Sequence, residues 1–135
     1  MMKYLLDTNI CIYVINDHPA GVLQRFRQHD IGEIAVSSVT VGELAYGIEK
    51  TRSKKNERAL RQFLIALEVI EFGHEDGLMA GKVRAALDLK GSPIGPYDVL
   101  IAAHAKARGL TLVTNNEREF ARVPGLRVEN WARDS

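Results

Sequence analysis

Four acidic side chains occupy positions suited to chemistry, because each follows an apolar strand-like run or lies near the start of a predicted helix. They are Asp7, Glu43, Asp98 and Glu119. Ligands of open parallel sheets bind beyond the carboxyl ends of the strands, where the flanking helices also begin, so we expect these acids to converge. Two carboxylates about 4 Å apart repel by roughly 4 kcal/mol at an effective dielectric near 20. A cluster of them therefore predicts a bound divalent cation.

The available donors indicate which cation that is. They are carboxylates together with the amides of Asn115 and Asn116, and no Cys or His pair has metal-binding spacing. Such oxygen ligands favour Mg²⁺, with Mn²⁺ as the alternative, over Zn²⁺. Because Mg²⁺ held by few carboxylates keeps waters and works on phosphates, the pattern is typical of phosphodiester hydrolysis.

The elements that must position these acids alternate between short apolar runs and helical patterns, which is typical of the α/β class. The predicted strands cover residues 4–6, 34–36, 69–72, 111–114 and 126–128, and the predicted helices cover 10–15, 40–48, 60–67, 75–90 and 96–107, with a short helix around Phe120. Strands joined by helices predict a three-layer α/β/α sandwich around a central, mostly parallel five-stranded sheet. Glu43 and Asp98 are then expected in first helical turns.

Composition is that of one globular domain spanning residues 1–135, with 46% hydrophobic and 26% charged residues. The lone Cys11 excludes an internal disulfide, and no apolar run reaches the roughly 20 residues that span a bilayer. The N-terminus also lacks an export signal, so we expect a cytoplasmic protein with no membrane partner. A net charge of +1 neither favours nor excludes nucleic acid.

Four motifs, in this order, carry a family resemblance: Leu-Asp-Thr-Asn at 6–9, Thr-Val-Gly-Glu-Leu at 40–44, Pro-Tyr-Asp-Val-Leu-Ile-Ala at 96–102, and Val-Thr-Asn-Asn at 113–116 with Glu119-Phe120. From Met1 to about Trp131 the chain resembles PIN-domain ribonucleases, and more narrowly the VapC toxins of bacterial toxin–antitoxin pairs. The resemblance implies a Mg²⁺-dependent endoribonuclease that forms a homodimer and is inhibited by a VapB antitoxin. The segments 95–98, 114–116 and 123–128 are similar to the subgroup that cuts the anticodon stem-loop of initiator tRNA.

Carried over residue by residue, the resemblance implies Asp7 and Asp98 as direct metal ligands and Glu43 as a group acting through water. Many relatives have an aspartate at the fourth acidic position, whereas this chain offers Asn116 and Glu119. Glu119 is assigned an outer role, and Asn116 a contact to substrate or water. Hydroxyl and amide groups would hold these carboxylates in orientation, namely those of Thr8, Asn9 and Thr114.

Structural alternatives exist for these acids. Glu43 follows Thr40 by three residues, so the pair also reads as a capping box at a helix start. Asp98 would gain roughly 0.3–1 kcal/mol from the helix dipole without any catalytic duty. Glu119 also fits a solvated helix position. Asp7 lacks such an alternative, because an acid that ends a buried strand needs a partner and no basic residue is near it in sequence.

A basic cluster is a candidate RNA-backbone contact, or else a solvated junction between helices. Its first members are Lys50, Arg52, Lys54 and Lys55, followed by Arg58 and Arg61. Tyr46 and Tyr97 would stack on a base or lie half-buried with wet hydroxyls. His104, inside an apolar helix, is interpreted as a packed, hydrogen-bonded histidine.

The sequence leaves three alternatives to a tRNA-cutting toxin. The first is a non-catalytic antitoxin-binding partner in operon autorepression, the second is a PIN nuclease with another RNA target, and the third is a phospho-acceptor domain. The last fits poorly, because Phe72-Gly73 stands where a receiver has its phosphorylated aspartate. For the antitoxin, we expect a groove between the helix from Thr40 and the segment 60–67.

Overall fold

The computed structural model describes residues 1–132. Five strands in this range form one sheet: β1 (Tyr4–Leu6), β2 (Ile34–Ser37), β3 (Glu68–Ile70), β4 (Thr111–Val113) and β5 (Val128–Glu129). Their order is β3-β2-β1-β4-β5, and every adjacent pair is parallel. The predicted α/β sandwich with a mostly parallel sheet is confirmed, and in the described residues the sheet is parallel throughout.

Seven helices connect these strands within residues 1–132: α1 (Thr8–Asn16), α2 (Ala20–Arg27), α3 (Ser38–Thr51), α4 (Lys54–Ala66), α5 (His74–Leu89), α6 (Pro96–Ala107) and α7 (Glu117–Phe120). A single 3₁₀ turn, Ile31–Glu33, leads into β2. The glycines predicted to end α5 and α6, Gly91 and Gly109, both have φ of +68°, the left-handed conformation that favours glycine after a helix.

Side chains alternate across the sheet and divide the core into two layers. Leu5, Ala35 and Leu112 point to a cluster built with α5 and α6, whereas Leu6, Val36 and Val113 point to a cluster built with α1, α2 and α4. The helix α3 contributes to both clusters, through Val39 and Leu44 respectively. Helices on both faces of the sheet produce the expected three layers.

Helix boundaries are where prediction and structure differ. The helix predicted to start at Thr40 starts instead at Ser38, as α3, so that predicted start is wrong, and the helix α2 was not predicted at all. Phe72 lies outside β3, and Thr114 lies just beyond β4. No helix among residues 1–132 combines the length and apolar character that crossing a bilayer would require.

Candidate active site

The strand order places Asp7 at the centre of the sheet's carboxyl edge. β1 lies between β2 and β4, and the chain reverses its direction of winding at β1 and β4, where parallel α/β sheets form their ligand crevice. The backbone N–H of Asp7 donates to the Val113 carbonyl at 3.0 Å, which fixes the residue between these two strands. Its side chain is only 5% exposed.

The Asp7 carboxylate also caps α1. The backbone N–H of Ile10 donates to Asp7 Oδ1 at 2.8 Å, and the side chain of Thr114 and the backbone of Asn9 also hydrogen-bond to this carboxylate. The partner that the sequence required for a buried acid is therefore a helix N-terminus together with a threonine. A capping role for Asp7 was not predicted, although an Asp directly before a helical pattern is a typical cap signal.

Glu43 reaches the same crevice from α3, but not in the way the sequence suggested. It lies in the second turn of α3, so the prediction of a first-turn position is wrong. The capping-box alternative is also wrong, because Ser37 caps α3 by accepting from the N–H of Val39 at 3.0 Å. Glu43 Oε1 instead accepts a hydrogen bond from the Thr8 hydroxyl at 2.7 Å.

Asp98 lies in the first turn of α6, as predicted. It joins Asp7 and Glu43 on the wall of one pocket of about 130 Å³, which Thr8 and Asn9 complete. Three of the four acids expected to converge therefore line one small cavity, supplied by α1, α3 and α6. No lysine or arginine in the described part of the chain forms an ion pair with any of the four.

Burial and mutual repulsion raise the pKa values of two acids in this pocket, Asp7 and Asp98. Burial raises the pKa of Asp7 to about 6, with the charge of Glu43 adding to the shift and the bonds from Thr114, Ile10 and Asn9 opposing it. The pKa of Asp98 rises to about 7, first through burial, then through the hydrogen bond and charge of Glu119, then through the charges of Asp7 and Glu43. The negative charge of the acids in this site is therefore not balanced by the neighbouring groups of the protein.

Glu119 lies at the edge of this site, next to Asp98. Its carboxylate is close enough to Asp98 to raise the pKa of that acid, and it accepts hydrogen bonds from the Gly95 N–H at 3.3 Å and from the Asn116 side-chain amide. These bonds do not fit the alternative of a freely solvated helix residue. Glu119 is not among the residues lining the 130 Å³ pocket.

The three residues predicted to orient the acids each contact one of them, and so does Asn116, which was predicted to contact substrate or water. Thr8 bonds Glu43, Thr114 and the Asn9 backbone bond Asp7, and Asn116 bonds Glu119. Thr114 also accepts from the N–H of Asn116 at 3.0 Å, which links the Asp7 side of the site to the Glu119 side.

The donor chemistry fits a hard divalent cation that retains water. Within residues 1–132, no group of three or more acidic, histidine or cysteine side chains is arranged to hold a metal ion by itself. Mg²⁺ does not require such an arrangement, since proteins commonly hold it through one or two carboxylates and leave waters in the other positions. Asp7 and Asp98, which share one pocket and have raised pKa values, match that requirement.

The basic cluster lies outside the pocket. Lys50 is near the end of α3, Arg52 is the residue that ends it, and Lys54 and Lys55 start α4. All four side chains are exposed. Lys50 is seven residues beyond Glu43, which is roughly 10 Å along a helix axis, so the cluster flanks the acids without neutralising them.

A groove between α1, α3 and α4 adjoins the carboxylates. Its cavity of about 230 Å³ is lined by apolar residues of α1, α3 and α4, and Thr8 and Glu43 form part of the same wall. The apolar members are Ile12, Ile15, Leu44, Ile48 and Leu60. A groove between α3 and α4 is therefore present, but of the predicted segment 60–67 Leu60 alone lines it, and α1 is an additional wall that was not predicted.

Comparisons with known proteins agree with this geometry. Residues 4–126 match the PIN domain. The chain is 44% identical to "tRNA(fMet)-specific endonuclease VapC" of Shigella flexneri over 98% of this chain and 100% of that protein. It is 46% identical to "Ribonuclease VapC2" of Haemophilus influenzae, over 97% of this chain and 99% of that protein.

Solved structures give the same result. DNA-bound VapBC from Salmonella typhimurium contains a chain that superimposes with a TM-score of 0.87 at 45% identity, covering 97% of this chain and 99% of that one. VapBC2 from Rickettsia felis, bound to a DNA fragment from its promoter, gives a TM-score of 0.88 at 44% identity, covering 96% and 99%.

Proposed function

Since the chain belongs to the PIN-domain family, and within it to the VapC ribonucleases, we propose that it is the toxin of a toxin–antitoxin pair and a metal-dependent endoribonuclease. The observation that carries the proposal is the pocket shared by Asp7, Glu43 and Asp98. Its acids come from three separate helix starts or turns and lack basic partners in the described residues, an arrangement that opposes folding unless it serves a ligand.

The metal in this proposal is Mg²⁺, with Mn²⁺ as a substitute, held by Asp7 and Asp98. When bound, it would acidify a coordinated water and offset charge on the phosphate oxygens. The hydrogen bonds from Ile10 and Thr114 keep the Asp7 carboxylate in place before substrate arrives. Because the Asp7 carboxylate is already oriented, it does not have to reorganise during the reaction.

Glu43 has the role of positioning the attacking water. The Thr8 hydroxyl at 2.7 Å holds one of its oxygens, which leaves the other available to accept from water. Glu119 takes an outer role next to Asp98, held by the Gly95 N–H, and Asn116 keeps Glu119 in place while contacting substrate or water. Hydrolysis of the phosphodiester then releases the 3′ oxygen as the leaving group.

The substrate in this proposal is the anticodon stem-loop of initiator tRNA. Support comes from the 44% identity to a protein named as a tRNA(fMet)-specific endonuclease. In this proposal the exposed cations of the basic cluster contact the RNA backbone, namely Lys50, Arg52, Lys54 and Lys55. Another RNA target remains the alternative substrate.

The partner in this proposal is a VapB-type antitoxin whose amphipathic helix fills the groove of α1, α3 and α4. Because Thr8 and Glu43 also line that groove, a bound helix would reach the edge of the active site. Homodimerisation, a single PIN domain and action in the cytoplasm belong to the same proposal.

A second function, in operon repression, is favoured by the DNA-bound complexes among the structural neighbours. It would operate through the antitoxin complex and does not require catalysis. The variant Asp7→Asn separates the two functions, since it should abolish cleavage and leave antitoxin binding intact.

The test is cleavage of a bulk tRNA pool by antitoxin-free protein in Mg²⁺, with product ends mapped. One discrete cut in the anticodon region, absent with EDTA and with Asp7→Asn, is the expected result. Folded protein that binds Mg²⁺ but leaves the pool intact would direct the search to another RNA, and then to the non-catalytic function.

A further inference from the structure

A second cleft adjoins the carboxylate pocket and is not used by the proposed chemistry. It measures about 720 Å³ and lies between α3, which supplies Gly42, Glu43 and Tyr46, and α6, which supplies Tyr97 and Leu100. Glu43 lines both cavities, and Tyr97 directly precedes Asp98, so the cleft opens from the reaction site itself. Whatever enters it lies next to the bond that is cut.

Two exposed tyrosines flank this cleft. Tyr46 is 68% exposed and Tyr97 is 58% exposed, although tyrosine rings usually bury most of their apolar surface. In the described residues neither ring contacts another aromatic ring. Rings presented in this way are suited to stacking on unpaired nucleobases, the main device of single-stranded RNA recognition.

Gly42 leaves open space on the α3 wall of the cleft. It lies inside α3, where glycine is less stable than alanine, yet a Cβ added at this position would meet no atom within 4 Å. Packing against the rest of the chain therefore does not require a glycine here. Gly42 lies one helical turn before Tyr46, so the space it leaves faces the tyrosine ring.

Side chains along α3 follow an order that corresponds to the order of phosphates and bases along a strand of RNA. Glu43, Tyr46 and Lys50 follow the i, i+3, i+7 spacing that places side chains on one helix face. A carboxylate of the cleavage site is followed by an aromatic ring and then by a cation. A scissile phosphodiester, its neighbouring base and a further phosphate would meet these groups in that order.

We propose that the cleft between Tyr46 and Tyr97 is a subsite for one unpaired nucleobase of the RNA next to the scissile bond, with Gly42 providing room for the base. The inference rests on the proposed ribonuclease function and names the part of the substrate that this site recognises. It selects single-stranded loops, since paired bases are not available to stack on a side chain.

Cleavage kinetics provide the first arm of the test. Gly42→Leu fills the space on the α3 wall with the side chain of a good helix former and should lower kcat/KM on tRNA at least tenfold without lowering the melting temperature. The matched control is Gly77→Leu, at an exposed glycine of α5 that also has open space around its Cβ position, and it should cleave like wild type.

Stacking predicts a specific pattern at the tyrosines. Tyr46→Ala and Tyr97→Ala should each weaken RNA binding by a factor of roughly 5 to 150, whereas Tyr46→Phe and Tyr97→Phe should bind like wild type because the ring is retained. Failure of phenylalanine to rescue would overturn stacking.

The second arm measures binding without cleavage, in an Asp98→Asn background. The probes are two labelled single-stranded RNAs of equal length, one with bases and one abasic. The proposal predicts a preference for the RNA with bases that Tyr46→Ala and Gly42→Leu abolish. An unchanged preference would overturn the subsite even if the protein is a nuclease, whereas a lost preference in a protein that cuts no RNA would overturn only the catalytic function.

Analytical sedimentation tests whether the cleft binds RNA or instead contacts a second copy of the chain. All cleft variants should keep the mass of the wild-type assembly. A change of mass in Gly42→Leu or Tyr46→Ala, with the preference for bases intact, would make this face a contact between copies and overturn the proposal.

Discussion

Asp7 combines a structural role with the proposed catalytic role in a single carboxylate. It caps α1 through the N–H of Ile10 and lines the pocket with Glu43 and Asp98. Asparagine caps helices about as well as aspartate, but it carries no charge with which to hold a cation. The two roles can therefore be separated by substitution.

We predict that Asp7→Asn loses RNA cleavage but unfolds at nearly the wild-type urea concentration, whereas Asp7→Ala loses cleavage and about 0.5–2 kcal/mol of stability. Urea unfolding followed by circular dichroism, in EDTA, measures the difference. Equal midpoints for the two variants would show that the cap contributes nothing.

Asp98 provides a prediction about pH. Its folded pKa of about 7 is above the ordinary aspartate value near 3.9, so the folded state binds an extra proton between these pH values. The contribution of Asp98 to the stability of the wild-type fold therefore decreases as pH rises through that window. Asparagine at this position does not titrate.

We expect Asp98→Asn without metal to melt no lower than wild type, with a difference in melting temperature that grows from pH 5 to pH 8. Differential scanning calorimetry in EDTA measures it, and Asp88→Asn, at an exposed position on α5, is the control. A clearly lower melting temperature for Asp98→Asn would instead support a purely helix-capping role.

At the scale of elements, the helices and strands that could be predicted from the sequence are those whose positions depend on local residue patterns. The strands β1 and β2, the start of α6 and the ends of α5 and α6 follow from apolar runs, Pro96 and two glycines. The start of α3 was misplaced because both Ser37 and Thr40 carry capping side chains, and only tertiary structure decides between them. Glu43 was consequently assigned to the wrong turn.

The helix α2 was missed because little in its sequence specifies it. It has no side-chain cap and no acid in its first turn, and Val22 is its one fully buried residue in the structure. Packing against neighbouring elements therefore supplies most of its stability. Similarly, the bond from Thr8 to Glu43 joins residues 35 positions apart, and sequence alone indicated only that Thr8 would orient an acid.

An ion pair between the buried Asp76 and the partly exposed Arg108 joins the start of α5 to the end of α6. Asp76, 1% exposed, accepts from Arg108 at 3.1 and 3.0 Å and from the N–H of Gly73 at 2.8 Å. The pKa of Asp76 is lowered, because the bond from Arg108 and the other contacts outweigh the opposing effect of burial. The pair stabilises the packing of the helix that carries Asp98.

Arg108→Ala should destabilise the fold by about 1–3 kcal/mol, since it removes two hydrogen bonds to a buried carboxylate, although Arg108 itself is 39% exposed and solvent screens its charge. Chemical denaturation of the single variant and of Arg108→Ala with Asp76→Asn measures the effect. The double variant should recover part of the loss because no charge is then buried alone. A single variant as stable as wild type would mean that Asp76 is solvated or protonated without Arg108.

At the scale of the whole molecule, three surfaces meet at Glu43. The carboxylate pocket, the tyrosine-lined cleft and the apolar groove of α1, α3 and α4 all include this residue. The family and the general position of the acids could be predicted from the sequence, but this meeting of cavities could not, since it depends on how α1, α3 and α6 cross.

The groove can be tested separately from catalysis. Ile12→Asp introduces a charge at its apolar wall and should weaken antitoxin binding at least tenfold while RNA cleavage persists, so the antitoxin no longer neutralises the toxin. Ile65→Asp, at an exposed residue of α4 outside the groove, is the control. Isothermal titration with the antitoxin measures both, and equal affinities would locate the antitoxin elsewhere.

The most direct test of the central claim is single-turnover cleavage of purified initiator tRNA as Mg²⁺ is varied, comparing wild type with folded Asp98→Asn. We predict one cut whose rate rises with Mg²⁺ and vanishes in EDTA, and a loss of several orders of magnitude in the variant. Undiminished cleavage by folded Asp98→Asn, or cleavage that persists in EDTA, would contradict a metal-dependent site built on Asp7, Glu43 and Asp98.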